Sequence, residues 1–125
     1  MITEIKNKKI FSTDVGYDYD LNKPTIILLH GSGQSHVVWS LTDQFLAGQG
    51  YNVFALDLPG HGNSDGPSLQ SIEEMSKWLN DFVQHMGIEK SILVGHSQGC
   101  LIALEFARCY HTWVDKIIFI AGSYS

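Results

Sequence analysis

Apolar positions along this chain switch repeatedly between the two-residue period of a strand and the three-to-four-residue period of a helix. Ile2 to Ile5 and Lys9 to Val15 predict two short strands, the second alternating, and the polar stretch from Gly16 to Lys23 predicts a loop. Thr25-Ile26-Ile27-Leu28-Leu29 is a continuous β-branched and apolar run, which suits a strand covered on both faces. Val37, Val38, Leu41, Phe45 and Leu46 then recur at helical spacing and predict one helix that stops near Gly48 and Gly50. Tyr51 to Leu56 predicts a second buried strand. Ile72, Met75, Leu79, Phe82, Val83 and Met86 form one stripe of a long helix ending at Gly87. Ser91 to Val94 predicts a third apolar strand, Ser97 to Tyr110 a helix, and Val114 to Ile120 a last strand.

Strands that alternate with helices imply βαβ crossovers, so the expected fold class is α/β, a mostly parallel twisted sheet with flanking helices. The 125 residues suffice for one domain and show no repeat or linker that would divide them. Composition narrows the function classes. With 44% hydrophobic and 17% charged residues the chain folds, and its net charge of −5 comes without a basic stripe. That balance argues against nucleic acid as a partner. No apolar run approaches the ~20 residues of a bilayer span, and the first residues have no apolar core of a secretory signal, so a cytoplasmic location is expected. Cys100 and Cys109 fall on one predicted helix, about 13 Å apart along its axis, too far for a disulfide. They are expected to be free, buried thiols.

The candidate chemistry lies in Gly95-His96-Ser97-Gln98-Gly99, directly after a predicted strand and directly before a predicted helix. A serine held proud of so sharp a turn takes an unfavourable backbone conformation. Gly95 and Gly99, two residues to either side, are expected to be crowded against each other. The helix that starts there aims its N–H groups and positive dipole end at any oxyanion formed beside Ser97. The alternative is a serine that only caps the helix. His30-Gly31-Ser32-Gly33 follows the first buried strand, and loops leaving the C-terminal ends of parallel strands share one rim. Gln98 N–H is therefore one candidate oxyanion donor, with Ser32 N–H or Gly33 N–H as the second. Phosphate-binding glycine patterns are absent.

The ordered set His30-Gly31-Ser32-Gly33, Trp39, Asp57-Leu58-Pro59-Gly60-His61-Gly62-Asn63-Ser64 and Gly95-His96-Ser97-Gln98-Gly99 resembles the α/β-hydrolase superfamily over most of the chain, from about Pro24 to Ala121. The likeness is to its esterase, lipase and carbon–carbon hydrolase branch. The resemblance implies Ser97 as nucleophile and a small-molecule acyl substrate. Relatives that open epoxides or cleave carbon–halogen bonds carry Asp at that position. It also implies a structural role for the Asp57 loop, so neither Asp57 nor His61 is assigned to catalysis.

In that family the acid and then the base follow the nucleophile. After Ser97 this chain holds Glu105, expected eight residues into the helix, and His111 and Asp115, both expected on the wrong edge of the sheet, while His36 and His61 sit on loops at the correct edge. The acid and base are thus expected beyond residue 125. Residues 1–125 are read as the N-terminal part of a hydrolase core, without cap region or C-terminal strands, and with weak or no activity alone. A non-catalytic ligand-binding scaffold of the same fold is the alternative. No metal-ligand spacing is present, and no cofactor is expected.

Overall fold

The computed structural model of the chain describes residues 1–120. Two strands, β1 (Ile2–Ile5) and β2 (Lys8–Phe11), form an antiparallel hairpin. Its two-residue turn, Lys6 and Asn7, has φ of 51° and 63°, the positive values that match the twist of paired strands. The predicted strand to Val15 ends earlier, at Phe11. Residues 12 and 13 instead run along the next sheet: Ser12 bridges Leu56 in antiparallel fashion, and Thr13 N–H donates to Ala55 O.

The main sheet holds β3 (Thr25–Leu29), β4 (Asn52–Leu56), β5 (Ser91–His96) and β6 (Val114–Ile120), all parallel, in the spatial order β4-β3-β5-β6. Every residue of β3 and β4 is buried. Successive side chains leave a strand on opposite faces, so these continuous apolar runs feed two cores at once. Ile27, Leu29, Phe54, Leu56 and Leu93 meet the helices α2 (Ile72–Met86) and α3 (Gln98–Cys109) on one face. Ile26, Leu28, Val53, Ala55 and Val94 pack with Trp39 and Ala47 on the other. Each fully buried side chain of this kind contributes about 1.5–3 kcal/mol. The chain passes from β3 outward to β4, then back across β3 to β5 and on to β6, so the winding reverses between β3 and β5. The loops following β3 and β5 thus flank a topological switch point, where ligands of such sheets bind.

α2 begins with Ser71, whose Oγ accepts Glu74 N–H at 3.1 Å, and it ends on Gly87 at φ 69°. The stripe predicted for it is the face it buries. The helix predicted after β3 is different. A 3₁₀ turn over His36–Trp39 is separated from α1 (Thr42–Gly48) by Leu41 at φ 70°. The restart changes the helical phase, so Val37, Val38, Leu41 and Phe45 face outward while Trp39, Asp43 and Ala47 turn inward. The cysteine expectation is also corrected. Cys100 is half-buried and Cys109, at the outer end of α3, is exposed, although both are free.

The outer edge of β4 is covered by the 11–13 segment, whereas the outer edge of β6 has no strand paired to it among the described residues. Ile118, Phe119 and Ile120 on β6, with Leu101 and Leu104 on α3, are exposed there.

Candidate active site

Ser97 is the single residue between β5 and α3, with φ 57° and ψ −120°. A non-glycine residue in that conformation costs on the order of 1–3 kcal/mol. Ser97 is exposed and makes no capping hydrogen bond to the helix it precedes, which removes the capping alternative. The neighbouring glycines permit the turn for two different reasons. A Cβ at Gly95 would lie 2.6 Å from Cys100 N and 2.5 Å from the Gly99 carbonyl carbon, the crowding expected. A Cβ at Gly99 would strike the Leu29 carbonyl oxygen, so that glycine answers to β3 rather than to Gly95. Gln98 opens α3, where the first N–H groups have no partner within the helix.

The loop after β3 stands against this turn. A Cβ at Gly31 would lie 3.0 Å from Ser97 Cβ. Gln34 closes the loop: its N–H donates to Gly31 O at 3.1 Å, and its Oε1 accepts Gly31 N–H at 2.8 Å. The same Oε1 lies 3.1 Å from His96 Nδ1, which must carry the proton of that bond because the oxygen has none. Gln34 therefore joins the loop to the residue preceding Ser97. Sequence reasoning missed it, since nothing in a lone glutamine marks it. Of the two candidate loop donors, Gly33 N–H is engaged with His61 Nε2 at 3.2 Å. Ser32 N–H has no acceptor among the described residues. Beside both loops lies a cleft of about 390 Å³ lined by Ser32, Gly33, His61, Leu69, Met75 and Gln98.

The Asp57 loop organises the rim. Asp57 is fully buried, and its carboxylate accepts His36 N–H at 2.7 Å, His36 Nδ1–H at 2.9 Å and Asn63 N–H at 2.8 Å. His30, also fully buried, donates from Nδ1 to Gly31 O at 2.7 Å and accepts Leu58 N–H on Nε2 at 3.0 Å. Burial holds its imidazole below the ordinary value of 6.5, hence neutral, with His61 nearby acting in the same direction.

Every histidine on this rim is thus committed elsewhere: His30 to Leu58, His36 to Asp57, His61 to Gly33 and His96 to Gln34. None hydrogen-bonds Ser97. Glu105 accepts two hydrogen bonds from Arg108, and these hold its carboxyl below the ordinary range. His111 and Asp115 lie at the start of β6, at the opposite end of the strands from Ser97. Among the described residues, no group of three or more His, Cys, Asp or Glu is placed to hold a metal. No described helix is long and apolar enough to cross a membrane.

A parallel α/β sheet whose third buried strand runs through a strained serine into a helix, under a glycine loop from the adjacent strand, defines the class of fold shared by many hydrolases. This chain belongs to the alpha/beta hydrolase fold family, whose sequence model matches residues 24–125. It is 34% identical over 101 residues to epoxide hydrolase 4 of Mus musculus, covering 78% of this chain and 28% of that protein. It is 31% identical over 112 residues to the pimeloyl-[acyl-carrier protein] methyl ester esterase of Vibrio vulnificus, covering 90% of this chain and 42% of that one. The solved structure of a predicted CIB-like hydrolase from Thermoplasma acidophilum superimposes with a TM-score of 0.85 at 24% identity, covering 98% of this chain and 62% of that one. The chain spans less than half the length of the two curated relatives.

Proposed function

We propose that this chain carries the nucleophile and oxyanion site of a serine hydrolase acting on an ester, thioester or similar acyl bond of a small molecule. Ser97 Oγ attacks the acyl carbon, its proton passes to a base, and the tetrahedral oxyanion is met by the N–H groups of Gln98 and Ser32. The leaving group departs with a proton, and water then hydrolyses the acyl-serine. The observation that carries this reading is the backbone strain at Ser97, with the hydroxyl presented beside a loop whose Ser32 N–H is free to donate. Strain of that kind persists only where the surroundings enforce it.

The chemistry of a serine favours acyl substrates over epoxides, although relatives of both kinds exist. Opening an epoxide with a hydroxyl would leave a serine ether, which water does not cleave, whereas an acyl-serine is an ester and turns over. Gly33 N–H, the other loop donor considered, is spent on His61. The acid and base that would complete the triad are proposed to come from outside these 125 residues, because each rim histidine has another partner. That same observation favours a second reading, a non-catalytic ligand-binding scaffold.

Fluorophosphonate labelling and p-nitrophenyl ester turnover, each with Ser97→Ala as control, decide between them. Slow labelling confined to Ser97 supports the hydrolase, since oxyanion donors alone retain roughly 10³–10⁴-fold over water. Equal labelling of wild type and variant, or none, leaves the scaffold.

A further inference from the structure

We propose that His61 is a positioning residue for the reaction at Ser97, holding the 31–34 loop so that Ser32 N–H faces the oxyanion. The proposal rests on the hydrolase reading above. Its basis is the assignment of protons around one imidazole. His61 Nδ1 lies 3.0 Å from Pro59 O. A carbonyl oxygen has no proton to give, so Nδ1–H is the donor and Nε2 keeps its lone pair. That lone pair is what Gly33 N–H meets at 3.2 Å. The imidazole therefore bridges two loops, Pro59 on the loop after β4 and Gly33 on the loop after β3.

The bridge works at the weakest point of the loop. Gly33 sits at φ 72° with nothing within 4 Å of the place a Cβ would occupy, so packing does not hold it there. The other end is already tied through Gln34 to Gly31 and His96. With Gly33 N–H held by His61, both ends of the loop are fixed and Ser32 N–H, between them, remains for substrate. The His61 ring also stands against that of His30, centroids 5.2 Å apart. His30 uses the same tautomer, Nδ1–H to a carbonyl and Nε2 to an N–H. Every ring nitrogen of the two packed imidazoles thus has its role assigned.

The test uses the ¹⁵N-labelled chain with two readouts. Long-range ¹H–¹⁵N spectra are expected to show His61 protonated on Nδ1, and His61→Ala is expected to raise the exchange rate of the Gly33 amide at least about tenfold. His61→Gln, whose side-chain oxygen reaches the Nε2 position, restores the slow rate. An Nε2–H tautomer, or Gly33 exchange indifferent to His61→Ala, overturns the clamp. The second readout is the initial rate of fluorophosphonate labelling at Ser97. It is expected to fall about tenfold in His61→Ala, less than the loss of a whole oxyanion donor, and to recover in His61→Gln. A change in Gly33 exchange without a change in labelling makes the contact merely structural and overturns the positioning role. Wild-type chain that does not label at Ser97 overturns the hydrolase reading and the positioning role with it, while the amide exchange still decides separately whether the clamp exists.

Discussion

The Cα of Gly99 is packed against the carbonyl of Leu29: a Cβ there would collide with the oxygen and stand 2.8 Å from the carbonyl carbon. Backbone cannot yield as a flexible side chain does. Gly99→Ala is therefore expected to lower stability by about 2–4 kcal/mol, in the range of severe overpacking. Gly33→Ala, which has open space but a positive φ, is expected to cost only about 1 kcal/mol. Urea unfolding of the two variants side by side checks the order, and a larger loss at position 33 would count against this account.

Ser97 offers the opposite test. Glycine relieves its backbone conformation but loses more entropy on folding, so Ser97→Gly is expected to raise stability by about 1 kcal/mol. Ser97→Ala keeps the Cβ and is expected to leave stability unchanged. A thermal midpoint for Ser97→Gly at or below that of wild type would show that the turn is not strained.

The buried Asp57 carboxylate supports both His36 and Asn63. Asp57→Ala leaves those donors without an acceptor and is expected to cost about 3–5 kcal/mol. His36→Ala removes only the imidazole and leaves a carboxylate that still accepts the backbone N–H at position 36 and Asn63 N–H, so about 1–2 kcal/mol is expected. Equal losses from the two substitutions would show that the pair, rather than the carboxylate, holds the rim.

Acid sensitivity follows from His30. Its folded-state pKa is below the unfolded value of 6.5, so the unfolded chain binds the proton more readily. Stability from this group is complete above pH 6.5 and is lost as pH falls below it, until the folded form also protonates. His30→Gln is expected to be less stable at pH 7 yet to show a shallower decline between pH 7 and 5. A decline as steep as that of wild type would place the sensitivity in another group.

Much of this architecture can be read before folding. β3, β4 and β5 announce themselves because burial on both faces demands apolar residues in succession, and α2 because a single stripe meets the core. The segment after His30 misleads because its apolar residues keep helical spacing across a break at Leu41, and spacing carries no record of φ. At the site, Gly95 and Gly99 signal a tight turn through composition alone. That Gly99 yields to Leu29, that Gly33 is taken by His61 and that Gln34 reaches His96 are contacts between segments far apart in sequence, set only when strands align.

β3 and β5 are hydrogen-bonded neighbours with Leu29 opposite Gly95. The loop that bears Ser32 and the turn that bears Ser97 therefore leave the sheet from the same rung. A slip of one residue would carry one of them about 3.3 Å past the other and turn its side chains to the wrong face. The spacing between the two amide groups proposed as oxyanion donors is consequently inherited from a rigid, buried ladder. For the proposed hydrolase, changes in the surrounding rim would alter which molecule is admitted without detuning the distance between those donors.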